Sequence, residues 1–232
     1  MGGATPKQYL PLNGVPILQH TLARLANHPA IRGVIVALSA DDSWWPTLTL
    51  ATFAAPIHRA RGGAERYHSV SNALQAAMTP EIGAKEEDWV LVHDAARPCL
   101  RQADIDRLIT ALHDHPVGGL LGNRVRDTMK RTDPEPPGFG GVASVVKTVD
   151  RADLWHALTP QMFRLGALSE ALTTCAHRGV AVTDEAQAME LQAQASGGPM
   201  PRMVAGAGDN LKITTPDDLA LAAFCLREQA RE

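Results

Sequence analysis

Cysteine is scarce in this chain and widely scattered: Cys99, Cys175 and Cys225 are the only three in 232 residues, with no Cys-x-x-Cys pair. Such spacing excludes a disulfide framework and a thiolate zinc site, and it suits a reducing cytoplasm. Long apolar runs are missing as well. No stretch approaches the roughly 18 residues of a membrane span, and the first residues hold no signal-peptide apolar region, so the chain reads as soluble and unexported. Aromatic residues make up only 4%, and the Trp44-Trp45 pair is read as packing rather than a stacking platform. There is no excess of either charge. A net charge of -3 and a pI near 6.3 argue against a general binder of nucleic acid or membranes. Any anion site must be local. The nine histidines lack metal-ligand spacing such as H-E-x-x-H, and the sequence contains no internal repeats.

What is present is an alternation of strands and helices, with 45% hydrophobic residues to build a core. The expected class is α/β, as one domain over residues 1–232. Its pivot is Trp89-Val90-Leu91-Val92-His93-Asp94-Ala95-Ala96-Arg97-Pro98. The apolar start is too continuous for a one-faced strand and predicts one buried on both sides in a parallel sheet. Asp94 then falls at the strand's carboxyl end, where ligands of open α/β sheets sit, with Arg97 three residues on. A capping aspartate paired with a neighbouring arginine is the structural alternative.

Earlier in the chain, Ile17–Asn27 predicts an amphipathic helix and Val34–Leu38 a buried strand. A short strand at Ile57–Ala60 leads into Arg61-Gly62-Gly63-Ala64-Glu65-Arg66 and a helix from about Tyr67 to Met78. Strand, glycines and helix in that order can cradle a phosphate or a base edge on free backbone amides, with Ser69 reaching the ligand or capping the helix. Later, residues 124–151 predict a long two-stranded arm with a Pro/Gly-rich tip at Pro134–Gly141. A lone ribbon is marginal in water, so the arm calls for something to pack on, most economically a second subunit. Helices are predicted around Gly166–Arg178, at Ala186–Gln194 after Thr183-Asp184-Glu185, and after the cap Thr215-Pro216-Asp217-Asp218. Asp209–Thr214 predicts a short strand carrying Lys212.

Several separated motifs, in order, resemble the 2-C-methyl-D-erythritol 4-phosphate cytidylyltransferase family along nearly the whole chain. They are Pro6-Lys7-Gln8-Tyr9, Gly62-Gly63-Ala64-Glu65-Arg66 with Ser69, the Val92–Pro98 block, Val125-Arg126-Asp127-Thr128, Thr148-Val149-Asp150-Arg151, Leu158-Thr159-Pro160-Gln161, Thr183-Asp184-Glu185-Ala186 and Asp209-Asn210-Leu211-Lys212. The resemblance implies a Rossmann-like three-layer nucleotidyltransferase sheet with a protruding β-arm for dimerisation. It also implies transfer of a cytidylyl group from CTP to methylerythritol phosphate in isoprenoid precursor synthesis. Lys7 would neutralise the triphosphate, while Gly62, Gly63, Ser69 and Asp94 would hold the nucleotide. Asp94, Arg97, Thr159 and Lys212 would gather around the acceptor phosphate. Thr128 and Arg151 would reach from the arm into the neighbouring subunit's site, making a homodimer with shared sites in which Lys7, Arg151 and Lys212 are catalytic.

The chemistry explains those residue types. A phosphate oxygen attacks the α-phosphorus of CTP in line and pyrophosphate leaves, so the protein must mainly position the reactants and supply positive charge. Magnesium is expected on the phosphate oxygens with few protein ligands, Asp94 and Asp209 being the candidate carboxylates. One departure stands out. Family members carry an upstream strand and a Pro-Ala-Ala-Gly-x-Gly loop whose arginine assists Lys7, whereas Met1-Gly2-Gly3 aligns inside that loop. The first strand and that arginine are therefore expected to be absent, leaving two neighbouring strands with unpaired edges and a weakened catalyst. The alternatives are transfer to another polyol phosphate, such as ribitol 5-phosphate, or a non-catalytic nucleotide-binding protein.

Overall fold

The structure is a computed structural model that describes residues 5–134 and 141–231. Among the described residues, ten strands and six α-helices follow one another as β1 Pro11–Leu12, β2 Val15–Pro16, α1 Ile17–Ala26, β3 Val34–Leu38, β4 Ile57–Arg61, α2 Arg66–Ala77, β5 Trp89–Val92, α3 Gln102–Leu112, β6 Gly118–Arg124, β7 Met129–Thr132, β8 Val145–Val149, β9 Trp155–Arg164, α4 Leu165–His177, α5 Glu185–Ser196, β10 Arg202–Ala205 and α6 Pro216–Gln229. Both faces of the central sheet are covered. On one face, Phe163 of β9 packs with Leu165, Leu168 and Leu172 of α4 and Met189 of α5. On the other, the adjacent Met162 packs with Ile105, Leu108 and Leu112 of α3. Successive side chains of a strand point to opposite faces, so one pair of residues in β9 binds two helical layers to one sheet.

The central sheet has the order β10-β6-β9-β5. Strand β10 runs parallel to β6, while β9 runs antiparallel to both β6 and β5. This corrects the expectation of a parallel environment for Trp89–Val92. Strand β9 returns from the arm and so enters the sheet in reverse, and the residues of β5 are half-buried rather than enclosed. Strands β3 and β4 form a separate parallel pair. A cavity of about 850 Å³ separates β3 from β5; Val36 and Ala37 line it on one side, Val90 and Leu91 on the other, and Ser69 and Asp94 also border it.

The arm is present as β7 paired antiparallel with β8; most of its expected tip lies outside the described residues. Among the described residues, neither strand of the arm pairs with another sheet. The strand expected at Asp209–Thr214 is absent. Its backbone groups go elsewhere: the Asn210 carbonyl accepts from Arg97 Nη1 at 2.8 Å and the Ile213 amide donates to the Ala96 carbonyl at 2.9 Å. The sheet strand of this region is β10, in a segment for which the sequence pattern predicts no strand. Helix termini follow their signals. Asp184 caps α5 through the Gln187 amide, Gly197 with φ 69° closes it, and Thr215 with Pro216 opens α6. No helix among the described residues is long and apolar enough to cross a membrane.

Candidate active site

The site is assembled at the carboxyl end of β5. His93 follows the strand with its ring between two fixed partners: Nε2 lies 3.1 Å from the Arg97 carbonyl and Nδ1 lies 2.8 Å from Thr159 Oγ1. A carbonyl only accepts, so Nε2 carries the proton and Nδ1 accepts from the threonine hydroxyl. Burial pushes the imidazole pKa down to about 4, which keeps the ring neutral at physiological pH. Thr159 Oγ1 also accepts the Asp94 amide at 3.1 Å. Thr159 and His93 together set the direction in which Asp94 leaves the strand.

Three cations converge on the Asp94 carboxylate. Its Oδ2 accepts from Arg97 Nε at 3.3 Å and pairs with Lys212 Nζ at 3.1 Å; its Oδ1 faces Arg66 Nε at 3.4 Å. Burial alone would raise the carboxyl pKa, but Lys212, Arg66 and Arg97 bring it down to about 2. Arg66 is held in turn by the fully buried Glu185, whose two oxygens accept from Nη1 at 2.6 Å and Nη2 at 3.0 Å. Burial lifts Glu185 above the usual carboxylate range against the pull of Arg66; with guanidinium N–H groups on both oxygens, the carboxylate is the form that fits. Arg66, Arg97 and Lys212 against Asp94 and Glu185 leave the cluster one positive charge in excess, a setting for an anion.

The glycine loop adjoins this cluster. Gly63 donates its amide to Ser69 Oγ at 3.0 Å, and Gly62 donates to the Leu38 carbonyl at 2.6 Å. A Cβ on Gly63 would run into His68, and one on Gly62 would lie 3.0 Å from the Leu38 oxygen. Both positions require glycine for close approach rather than for a left-handed backbone. Asn72 donates to the Arg61 carbonyl at 2.9 Å, so the loop is tied down on both sides of the α2 start.

With this geometry in view, the chain can be set beside known proteins. A family model described as 2-C-methyl-D-erythritol 4-phosphate cytidylyltransferase matches residues 1–228. The chain belongs to that family. A cytidylyltransferase of that name from Pseudomonas fluorescens is 49% identical over 220 residues, covering 94% of this chain and 87% of its own length. One from Pseudomonas aeruginosa is 50% identical over 214 residues, covering 92% and 85%. The crystal structure of the Francisella tularensis 2-C-methyl-D-erythritol 4-phosphate cytidylyltransferase superposes with a TM-score of 0.78 at 36% identity, covering 96% of this chain and 94% of that one. The crystal structure of a 4-diphosphocytidyl-2C-methyl-D-erythritol synthase gives 0.78 at 34% identity, with 95% of each chain covered.

Not all the residues that the cytidylyltransferase resemblance nominated meet in one place. Asp94, Arg97, Thr159 and Lys212 share the cluster, and Gly62, Gly63 and Ser69 form the adjoining loop. Lys7 lies in a short 3₁₀ turn whose Tyr9 donates to Asp42 Oδ2 at 2.6 Å, and no ion pair joins Lys7 to the Asp94 cluster. Thr128 and Arg151 are exposed on the arm, where Arg151 Nη1 donates to the Arg126 carbonyl. Asp209 is committed elsewhere: both oxygens accept from Arg101 Nε, and Oδ2 also accepts from Arg101 Nη2 at 2.8 Å and from Gln229 Nε2 at 2.8 Å. With Asp94 under three cations and Asp209 under Arg101, neither carboxylate fits a direct metal ligand in this arrangement. No group of three or more His, Cys, Asp or Glu among the described residues is arranged to hold a metal ion.

Two contributors were not assigned roles from the sequence, Arg66 and Glu185. The motifs contained both, but only the fold brings the first residue of α2 against the first of α5. Gln161 helps to do this, since its Oε1 accepts the Ala186 amide at 2.8 Å and its Nε2 donates to Asp184 Oδ2 at 2.9 Å. Nothing local in the sequence signals this contact, which spans 119 residues.

Proposed function

We propose that this chain transfers the cytidylyl group of CTP to 2-C-methyl-D-erythritol 4-phosphate, releasing pyrophosphate and forming 4-diphosphocytidyl-2-C-methyl-D-erythritol. The observation that carries the reading is the family match over residues 1–228, joined to a cationic cluster beside a glycine loop. An acceptor phosphate oxygen forms the new bond to the α-phosphorus while the bond to the β-phosphate oxygen breaks, so no protein nucleophile is needed. Lys212 and Arg97 draw the acceptor phosphate in and offset charge that grows on the equatorial oxygens. Gly62, Gly63 and Ser69 hold the cytidine end, and Lys7 faces the triphosphate. Magnesium or another divalent cation would take its ligands from nucleotide phosphate oxygens, given that Asp94 and Asp209 are already engaged.

The active form is a homodimer in this reading. Val145 and Val146 of β8 are 61% and 55% exposed, and Val142 beside them 66%; apolar side chains exposed on both faces of an otherwise unsupported ribbon favour a partner surface. Thr128 and Arg151 on this arm would then serve the partner's site. A cytoplasmic location accords with three free cysteines, two of them buried.

Phosphorus NMR of the reaction mixture tests the reaction. Methylerythritol phosphate with CTP should yield the two coupled resonances of a diphosphate diester together with free pyrophosphate. Product from ribitol 5-phosphate and none from methylerythritol phosphate would overturn the acceptor assignment, and CTP binding without any product would make the chain a nucleotide-binding protein.

A further inference from the structure

One fully buried carboxylate beside the site is a group to which the reaction assigns no part. Glu185 is fully buried, yet both its oxygens are occupied by the outer nitrogens of a single guanidinium. With that two-point grip in place, Arg66 turns its Nε towards Asp94 Oδ1 at 3.4 Å. The other Asp94 oxygen is thereby left to Arg97 and Lys212. Arg66 is also the first residue of α2, directly after the glycine loop, whereas Glu185 opens α5, which Gln161 ties to β9. The chain of contacts therefore runs from the nucleotide loop to the acceptor cluster through one arginine.

We propose that Glu185 is a positioning residue: it locks the Arg66 guanidinium so that Asp94 presents Oδ2 to Lys212 and the start of α2 stays in register with the acceptor side. The inference rests on the cytidylyl-transfer reading for its kinetic consequence, but not for its geometry. Without Glu185, the Arg66 fork is free to take both Asp94 oxygens in a bidentate pair and displace Lys212, because a guanidinium matches a carboxylate face to face. A lysine at position 66 would keep the charge and lose the fork.

The test is a double-mutant cycle with Glu185→Gln and Arg66→Lys, reading kcat and KM for CTP and for methylerythritol phosphate. Each single variant should lose about 10- to 100-fold in kcat with each KM within about threefold, because misplacement costs turnover rather than affinity. The double variant should be no worse than the poorer single one, since both act through the same contact. Losses that multiply in the double variant, or an Arg66→Lys enzyme with wild-type kcat, would overturn the proposal. Should Glu185→Gln not fold, the half-exposed Arg66→Lys variant decides alone. Nitrogen NMR of the Arg66 guanidinium gives a readout free of activity: separate Nη signals from hindered rotation in the wild type, merging in Glu185→Gln. Freely rotating Arg66 in the wild type would refute the clamp, whereas a clamp without any pyrophosphate release would refute the functional reading alone.

Discussion

One hydroxyl joins Thr159 to His93 across the β9–β5 boundary, with Oγ1 donating to Nδ1 at 2.8 Å while accepting the Asp94 amide at 3.1 Å. The Asp94 cluster is therefore oriented by a neutral histidine whose ring nitrogens meet the Arg97 backbone carbonyl and the Thr159 hydroxyl and none of the three cationic side-chain groups. Thr159 is buried and both partners are part-buried, so removing the hydroxyl takes a hydrogen-bond partner from two polar groups at once.

Thr159→Val keeps the shape of the side chain and removes this junction. Unfolding in urea should show a loss of about 1–3 kcal/mol, accompanied by a fall in kcat as the Asp94 amide loses its anchor. A variant as stable and active as the wild type would show that the hydroxyl has no such part.

Acid should destabilise the fold in two separate windows. His93 is held below its ordinary 6.5 at about 4 by burial, so the unfolded chain takes up a proton that the folded one refuses. Its contribution is complete above about pH 6.5 and is lost as the pH falls towards 4. Asp94 is brought from 3.8 to about 2 by Lys212 and Arg66, which outweigh its burial; its contribution is complete above about pH 4 and is lost as the pH falls towards 2. Urea unfolding across pH should give a flatter curve between 6.5 and 4 for His93→Gln, and between 4 and 2 for Asp94→Asn. Curves parallel to the wild type in those windows would contradict the assignment.

Gly63→Ala places a methyl group against His68 and its backbone, so the start of α2 must shift. Calorimetry should show CTP affinity reduced by about tenfold or more, with far-UV circular dichroism unchanged. Unaltered affinity would remove the glycine loop from the nucleotide site.

The arm predicts a mass of twice the 24.8 kDa chain in light scattering. Val146→Asp puts a charge in place of one of the arm's exposed apolar side chains and should yield a folded monomer, because an unpaired charge in such an interface is costly. A wild-type monomer would contradict shared sites.

Much of this was legible from local pattern. The β3 and β5 runs, the α1 stripe and the strand, glycine and helix order around Gly62 are local properties, and they lie where the sequence places them. What escaped reading depends on long-range partners. The direction of β5 relative to its neighbour is set by β9, which arrives from the far side of the arm, and the continuous apolar run Trp89–Val92 carries no information about that. Asp209–Thr214 has the composition of a strand, but Arg97 and Ala96 claim its backbone groups, and the pairing with β6 falls to Arg202–Ala205 instead. The same holds for the site. Asp94 and Arg97 were visible as neighbours, whereas the grip of Glu185 on Arg66 spans 119 residues and exists only in the fold.

The central claim is that the cationic cluster around Asp94 serves cytidylyl transfer to methylerythritol phosphate, and the initial rate of pyrophosphate release measures it most directly. The account predicts release that requires both CTP and methylerythritol phosphate and that falls by about 100-fold or more in Lys212→Met, in which one of the charge-stabilising groups is removed. Release that is indifferent to the acceptor, or to the loss of the Lys212 charge, would contradict it.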